Sequence, residues 1–224
     1  MKQRPITTLH MIMSADGKII TESLVPAKSM KNGIARVENR ERWLLDSGQV
    51  QSKSGINNEP FSEKTEVSFV LIDNTHLNER GVEYFSRLSK KFVLVTANAN
   101  HAVHKTSFDN VSVIFQQKLN FQKMLENLYE NHGCKKITIQ AGGILNEIFL
   151  RNKLFDYVDI MIATPESGHE TMPDSTSMLC ESEFYKLGNL QLESSEVLDD
   201  CIRVRYKVRR INLFDFDTSH MPNR

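Results

Sequence analysis

Short, nearly continuous apolar runs alternate along the chain with stretches of helical spacing. Residues 6–13 (Ile-Thr-Thr-Leu-His-Met-Ile-Met) predict a strand entering the core, broken by a turn at Ser14-Ala15-Asp16-Gly17-Lys18. Residues 67–72, 92–96, 111–115, 136–140 and 157–163 are compact β-rich runs, the pattern of strands buried on both faces of a sheet. Ile34, Val37, Trp43, Leu44 and Leu45 stand in a charged background and predict an amphipathic helix over 34–45. Phe121, Met124, Leu125, Leu128 and Tyr129 predict another over 121–132, with Gly133 as its stop. Gly142-Gly143 predicts a turn before a short helix over 144–151.

The pattern changes near the C-terminus. Leu190, Leu192, Ser194, Glu196 and Leu198 alternate with polar neighbours, Asp199-Asp200 make a turn, and 201–209 alternate again. That is an antiparallel hairpin with one wet face. Strands alternating with helices and closed by a hairpin predict an α/β fold whose mostly parallel central sheet ends in antiparallel strands. One stretch, 46–66, is polar with only Val50, Ile56 and Phe61 as sizeable apolar residues. It is expected to contribute no central strand over most of its length and to be mobile without ligand, as such long connections often carry function. Residues 1–210 read as one domain and 211–224 as a polar tail, whose Phe214 and Phe216 suit an arm onto a neighbouring subunit.

With 224 residues, 40% hydrophobic and 25% charged, the chain is long enough for a globular core and is not of disordered composition. Lys+Arg 28 balance Asp+Glu 28. That argues against a chain built to coat nucleic acid, which needs positive excess. No apolar run approaches the ~20 residues of a membrane helix, and Thr7, Thr8 and His10 make the first apolar segment too polar for a secretory signal. Three cysteines (Cys134, Cys180, Cys201) form no Cys-x-x-Cys pair and read as buried thiols in a reducing cytoplasm.

Chemistry-bearing motifs are few. Gly142-Gly143 between a strand and a helix allows close approach of a phosphate to helix N–H groups, though the same pair also makes an ordinary tight turn. Asp16-Gly17-Lys18 offers an acid and a base where the first strand ends, and ligands of open α/β sheets gather at such ends. His101-x-x-His104 lies in a predicted loop with no third ligand nearby and reads as two surface histidines rather than a metal pair. Arg203, Arg205, Lys207 and Arg209 share one face of the last strand. They read as a solvated outer face balanced by Glu193 and Glu196.

Together these segments resemble the reductase domain of riboflavin biosynthesis, within the dihydrofolate reductase-like fold. The likeness lies in Arg4-Pro5 followed by a strand and Met13-Ser14-Ala15-Asp16-Gly17-Lys18-Ile19, and in 137–146 with its Gly142-Gly143. It continues through Leu154-Phe155-Asp156-Tyr157-Val158-Asp159, Ala163-Thr164-Pro165, Gly168 and the closing hairpin. The resemblance implies an NADPH-dependent reductase that converts the ribosyl group of a (phospho)ribosylaminopyrimidine, or a related heterocycle, to ribityl, as a homodimer. It implies that Gly142, Gly143, Ile144 and Leu145 hold the cofactor's pyrophosphate, that Thr96 lies near its adenosine end, and that Asp16 and Lys18 line the substrate cleft as catalytic candidates. No metal is implied, and neither nucleic acid nor membrane is an expected partner. The chain departs from the family pattern in two places. It lacks the Gly-x-Gly-Thr and Asp-Asp-Pro segments after the first helix, and Ala141 stands where the family commonly has Glu before Gly-Gly. These departures keep a second function open, a catalytically silent relative that binds a ligand or partner protein on the same scaffold.

Overall fold

The computed structural model describes residues 3–14, 43–48, 56–58, 60, 64–141, 143–163, 189–198 and 201–209. Among them, nine strands form a single sheet: β1 Ile6–Ser14, β2 Trp43–Ser47, β3 Ser68–Ile72, β4 Phe92–Thr96, β5 Val111–Phe115, β6 Lys136–Ile139, β7 Tyr157–Ala163, β8 Asn189–Leu198 and β9 Cys201–Arg209. Their order is β5-β4-β3-β2-β6-β1-β7-β9-β8. Every pairing from β5 to β7 is parallel, and β9 runs antiparallel to both β7 and β8. This is the mostly parallel α/β sheet with a terminal hairpin that the apolar pattern predicts.

Among the described residues, three α-helices cover it: α1 Glu79–Leu88, α2 Phe121–His132 and α3 Gly143–Arg151. α2 and α3 lie against one face, where Met124, Leu125, Leu128, Phe149 and Leu150 join Leu9, Leu45, Val70, Val93, Ile137, Ile139 and Val158 in a single core. α1 covers the other face at the β3–β4 end, packing Val82, Tyr84 and Phe85 onto Leu71, Phe92 and Leu94. Local chemistry fixes the helix ends. The Asn78 side chain accepts from Gly81 N–H at the start of α1, Asn120 does the same from Lys123 N–H for α2, and Gly133 closes α2 at φ 72, a left-handed position that favours glycine.

One expectation needs correction. The helix over 34–45 does not extend to its predicted end, because Trp43, Leu44 and Leu45 lie in β2. There they pair with Ser68, Phe69 and Val70, and Leu44 and Leu45 also with Thr138 and Ile139. A place between two strands buries that apolar triplet on both faces, which outweighs its helical spacing. Residues 34–42 lie outside the described residues. The same strand carries Asp46 and Ser47, so the polar stretch begins inside a central strand, while its residues 49–55, 59 and 61–63 lie outside the described ones. α1 was not foreseen in the pattern at all.

The sequence's Arg4-Pro5 opening has a structural task. The Arg4 guanidinium donates to both carboxylate oxygens of Asp156, at 2.7 and 2.8 Å, and Asp156 also accepts from Thr7 N–H. This clamp joins the starts of β1 and β7, which run side by side. Cys134 and Cys201 are both buried; Cys180 lies outside the described residues.

Candidate functional site

Because β1, β2, β3, β4 and β6 are mutually parallel, their carboxyl ends meet along one edge of the sheet, the edge where open α/β domains collect ligands. β6 leaves this edge through Ala141, which is buried, and Gly143 opens α3. The first turn of α3 has no acidic residue, so the helix itself supplies no carboxylate to offset the positive end of its dipole. Ile144 is 71% exposed there, whereas Leu145 turns inward onto the core. Asn146, one residue further, is buried, and its Oδ1 has no partner among the described residues. Asp16, Lys18 and Gly142 lie outside the described residues; by sequence Asp16 and Lys18 follow the last residue of β1 by two and four positions.

The ends of β3 and β4 are knitted together by their loops. Asn74 Oδ1 accepts from Ala97 N–H at 2.8 Å and from the Thr96 hydroxyl at 3.2 Å, while Asn98 Nδ2 donates to Asn74 O. Thr96 is fully buried, and its hydroxyl also accepts from Asn98 N–H. Its side chain therefore shapes the loop from within.

Next to it stands a group the sequence reading did not single out. Asp73, the residue after β3, has a fully buried carboxylate. It accepts from His76 N–H, Leu77 N–H, His76 Nδ1 at 2.9 Å and His101 Nε2 at 2.8 Å. Burial alone would raise its pKa, but the bonds from His101, Leu77 and His76 outweigh that and hold it at about 2. His101 Nδ1 accepts from Val103 N–H, which fixes Nε2 as the protonated nitrogen. The reading of His101 and His104 as two surface histidines is thus half wrong. His104 is exposed, but His101 is buried and caps a 3-10 turn over Ala102–Lys105. Gly48, just past β2, abuts this group so closely that an added Cβ would overlap the Asp73 side chain.

A second polar cluster lies on the same sheet face as α1, at the β6–β1–β7 end. Thr138, Thr8, His10 and Asp159 sit side by side across β6, β1 and β7 and are all buried. Asp159 is paired bidentately with buried Arg203 and lies 3.5 Å from Arg205, whose Nε bonds Glu193. The basic face of β9 is balanced by acids as expected, with Glu196 4.0 Å from Arg203, but Arg203 is interior rather than solvated. Among the described residues, Thr8 Oγ1, Thr138 Oγ1 and both ring nitrogens of His10 have no hydrogen-bond partner. Burial lowers the His10 pKa to about 4, with Asp159 opposing and Arg203 adding to the shift.

This strand order, with a glycine-led helix at the carboxyl edge and an antiparallel terminal hairpin, defines an α/β domain of the dihydrofolate reductase-like fold. The chain belongs to the RibD C-terminal domain family, a reductase domain family that matches residues 5–202. Comparison with curated proteins gives no match. Among solved structures it is similar to Acinetobacter baumannii RibD, at 14% identity and TM-score 0.64 over 92% of this chain. It spans 59% of that longer protein. It is also similar to a pyrimidine reductase-like protein of Corynebacterium diphtheriae, at 14% identity and TM-score 0.64, covering 92% of this chain and 93% of that one. For the riboflavin biosynthesis reductase Rib7 of Saccharomyces cerevisiae the identity is 13% and the TM-score 0.56, with coverage of 92% and 90%. At such identities the likeness to these structures is one of fold.

Among the described residues no helix is long and apolar enough to cross a membrane.

Proposed function

We propose that the chain is an NADPH-dependent reductase of the riboflavin-biosynthesis type, acting on the ribosyl group of a (phospho)ribosylaminopyrimidine or a related heterocycle, and working in the cytoplasm as a homodimer. Membership of the reductase family over residues 5–202 carries this reading. The carboxyl edge of the sheet fits the cofactor at its pyrophosphate end. A helix of nine residues begins there on glycine with no carboxylate in its first turn, so its free N–H groups suit an anion. Gly142, Gly143, Ile144 and Leu145 are assigned that end, with exposed Ile144 as apolar surface for a ligand to cover. Thr96 serves the adenosine end by locking the loops after β3 and β4 together, since its hydroxyl is committed to Asn74 and Asn98.

The bound cofactor supplies the hydride, and the chain's residues supply binding, orientation and exclusion of water. Asp16 and Lys18 are assigned the substrate cleft beyond β1, as an acid and a base for the sugar's oxygen atoms. In an assay with NADPH and the ribosylaminopyrimidine phosphate, NADPH consumption should match ribityl product one for one.

Ala141 favours a second reading. It is buried immediately before the glycine pair, so the carboxylate common at that place in the family has no counterpart there. Saturable NADPH binding with no turnover of any ribosylaminopyrimidine would establish the silent relative and overturn the enzyme.

A further inference from the structure

Ile6 opens β1 with an apolar side chain that is 41% exposed, although β1 has a strand on either side. Its register partner on β6 is Lys136. Thr8, two residues on and therefore on the same face, pairs with Tyr157 on β7, and Tyr157 pairs in turn with Lys207 on β9. Paired residues of neighbouring strands share a face. Lys136, Ile6, Tyr157, Lys207 and Arg209 thus form a band across the amino ends of β6, β1 and β7 and the last turn of the pleat in β9. Tyr157 is half-buried, and the Arg205 guanidinium lies 4.4 Å from its ring centre.

The band is positive. Lys136 and Lys207 are exposed and have no acidic partner among the described residues. The acids nearest them are engaged: Glu193 bonds Arg205, and Asp156 bonds Arg4. An open apolar side chain flanked by cations fits a segment that carries both aromatic and acidic residues.

Such a segment is tethered to the band. β9 ends at Arg209, and the chain goes on to Phe214-Asp215-Phe216-Asp217, within residues 211–224, which lie outside the described residues. From Arg209 to Phe214, an extended chain reaches about 16 Å at ~3.3 Å per residue. β9 and β6 are three strand steps apart, about 14 Å at the usual spacing. The tether is therefore long enough to bring the rings over Ile6 and Tyr157. Alternate side chains of an extended segment fall on one side, so both rings can face the band together. The carboxylates then stand at its rim, within reach of the long lysine stems.

We propose that residues 211–224 dock back on their own protomer, with Phe214 and Phe216 on Ile6 and Tyr157 and with Asp215 and Asp217 against Lys136 and Lys207. This surface is at the opposite edge of the sheet from the start of α3, and the proposal does not depend on the reductase reading.

The test is carbodiimide coupling, which joins a carboxylate directly to an amine in contact with it, on the full chain mixed from ordinary and heavy-isotope protein. Mass spectrometry should find Asp215 or Asp217 joined to Lys136 or Lys207, within light copies and within heavy copies only. Phe214→Ser with Phe216→Ser keeps both carboxylates and should lower the yield about tenfold or more, because the apolar contact is lost. Ile6→Ser, on the other side of the contact, should lower it too, and melting temperatures check that both variants are folded. Unchanged yield in the folded double serine variant would overturn the proposal, since a tail merely near the lysines would couple as well. Mixed light–heavy products would overturn it in favour of a tail docked on a second copy. Absence of tail cross-links in the wild type would overturn it and leave the band to a partner other than this tail.

Discussion

His10 is an imidazole held without charge in the sheet. Burial lowers its pKa to about 4 from the ordinary 6.5, so between those values the unfolded chain binds a proton that the native one refuses. Stability is therefore flat above about pH 6.5 and falls as the pH drops toward 4, by roughly 3 kcal/mol in all. His132, lowered by burial and by Lys91, adds to the same window. Asp73 acts in a separate one, its contribution disappearing as pH falls from about 4 to 2. Denaturant unfolding of His10→Met at pH 7, 5.5 and 4.5 should show a shallower loss than wild type; identical slopes would show that His10 is not the group refusing the proton. Gly48 makes a different demand. A Cβ there would overlap Asp73, so Gly48→Ala should cost about 1–3 kcal/mol, seen as a lower melting temperature. What could be read at this scale was limited by sequence distance. Gly142-Gly143 is a contiguous signal, whereas Asp73 and His101 meet across 28 residues and no local pattern announces them.

The strands predicted at 92–96, 111–115 and 157–163 coincide with β4, β5 and β7. β4 illustrates why, because all five of its residues are buried and the sequence shows a short, uninterrupted apolar run. α2 was equally plain, since a half-buried helix repeats its apolar face and ends on a glycine. β2 was obscured because Trp43-Leu44-Leu45 fits both a helix end and a strand, and only its neighbours β3 and β6 decide between them. α1 was missed although Val82, Phe85 and Leu88 recur at three-residue intervals, because charged residues at Glu79, Arg80, Glu83 and Arg87 dilute the run. The hairpin's alternation was legible, but not the task of Arg203, whose partner Asp159 lies on β7. Arg203→Met should cost about 3 kcal/mol or more by stranding a buried carboxylate. The double variant Arg203→Met with Asp159→Leu should recover most of that stability. Failure of the pair to recover in denaturant unfolding would mean that the arginine acts through packing alone.

Across the whole molecule, the sheet ends on β8, most of whose residues are exposed. Val197 is 77% exposed and pairs with exposed Ile202 on β9, and Leu192 is a further open apolar residue along β8. Such a surface at the free end of the sheet suits a two-fold interface with a second copy. Light scattering at micromolar concentration should give a dimer mass for the wild type and a monomer mass for Val197→Asp. A monomeric wild type would remove this surface from the account.

If the glycine-led start of α3 receives the pyrophosphate of NADPH, as proposed, cofactor affinity in Gly143→Val decides it. A β-branched side chain there would stand where the phosphate must come close. NADPH should bind the wild type saturably and Gly143→Val at least about tenfold more weakly, in a protein whose melting transition shows the sheet still folded. Unchanged NADPH affinity in that folded variant, or no NADPH binding by the wild type, would contradict it.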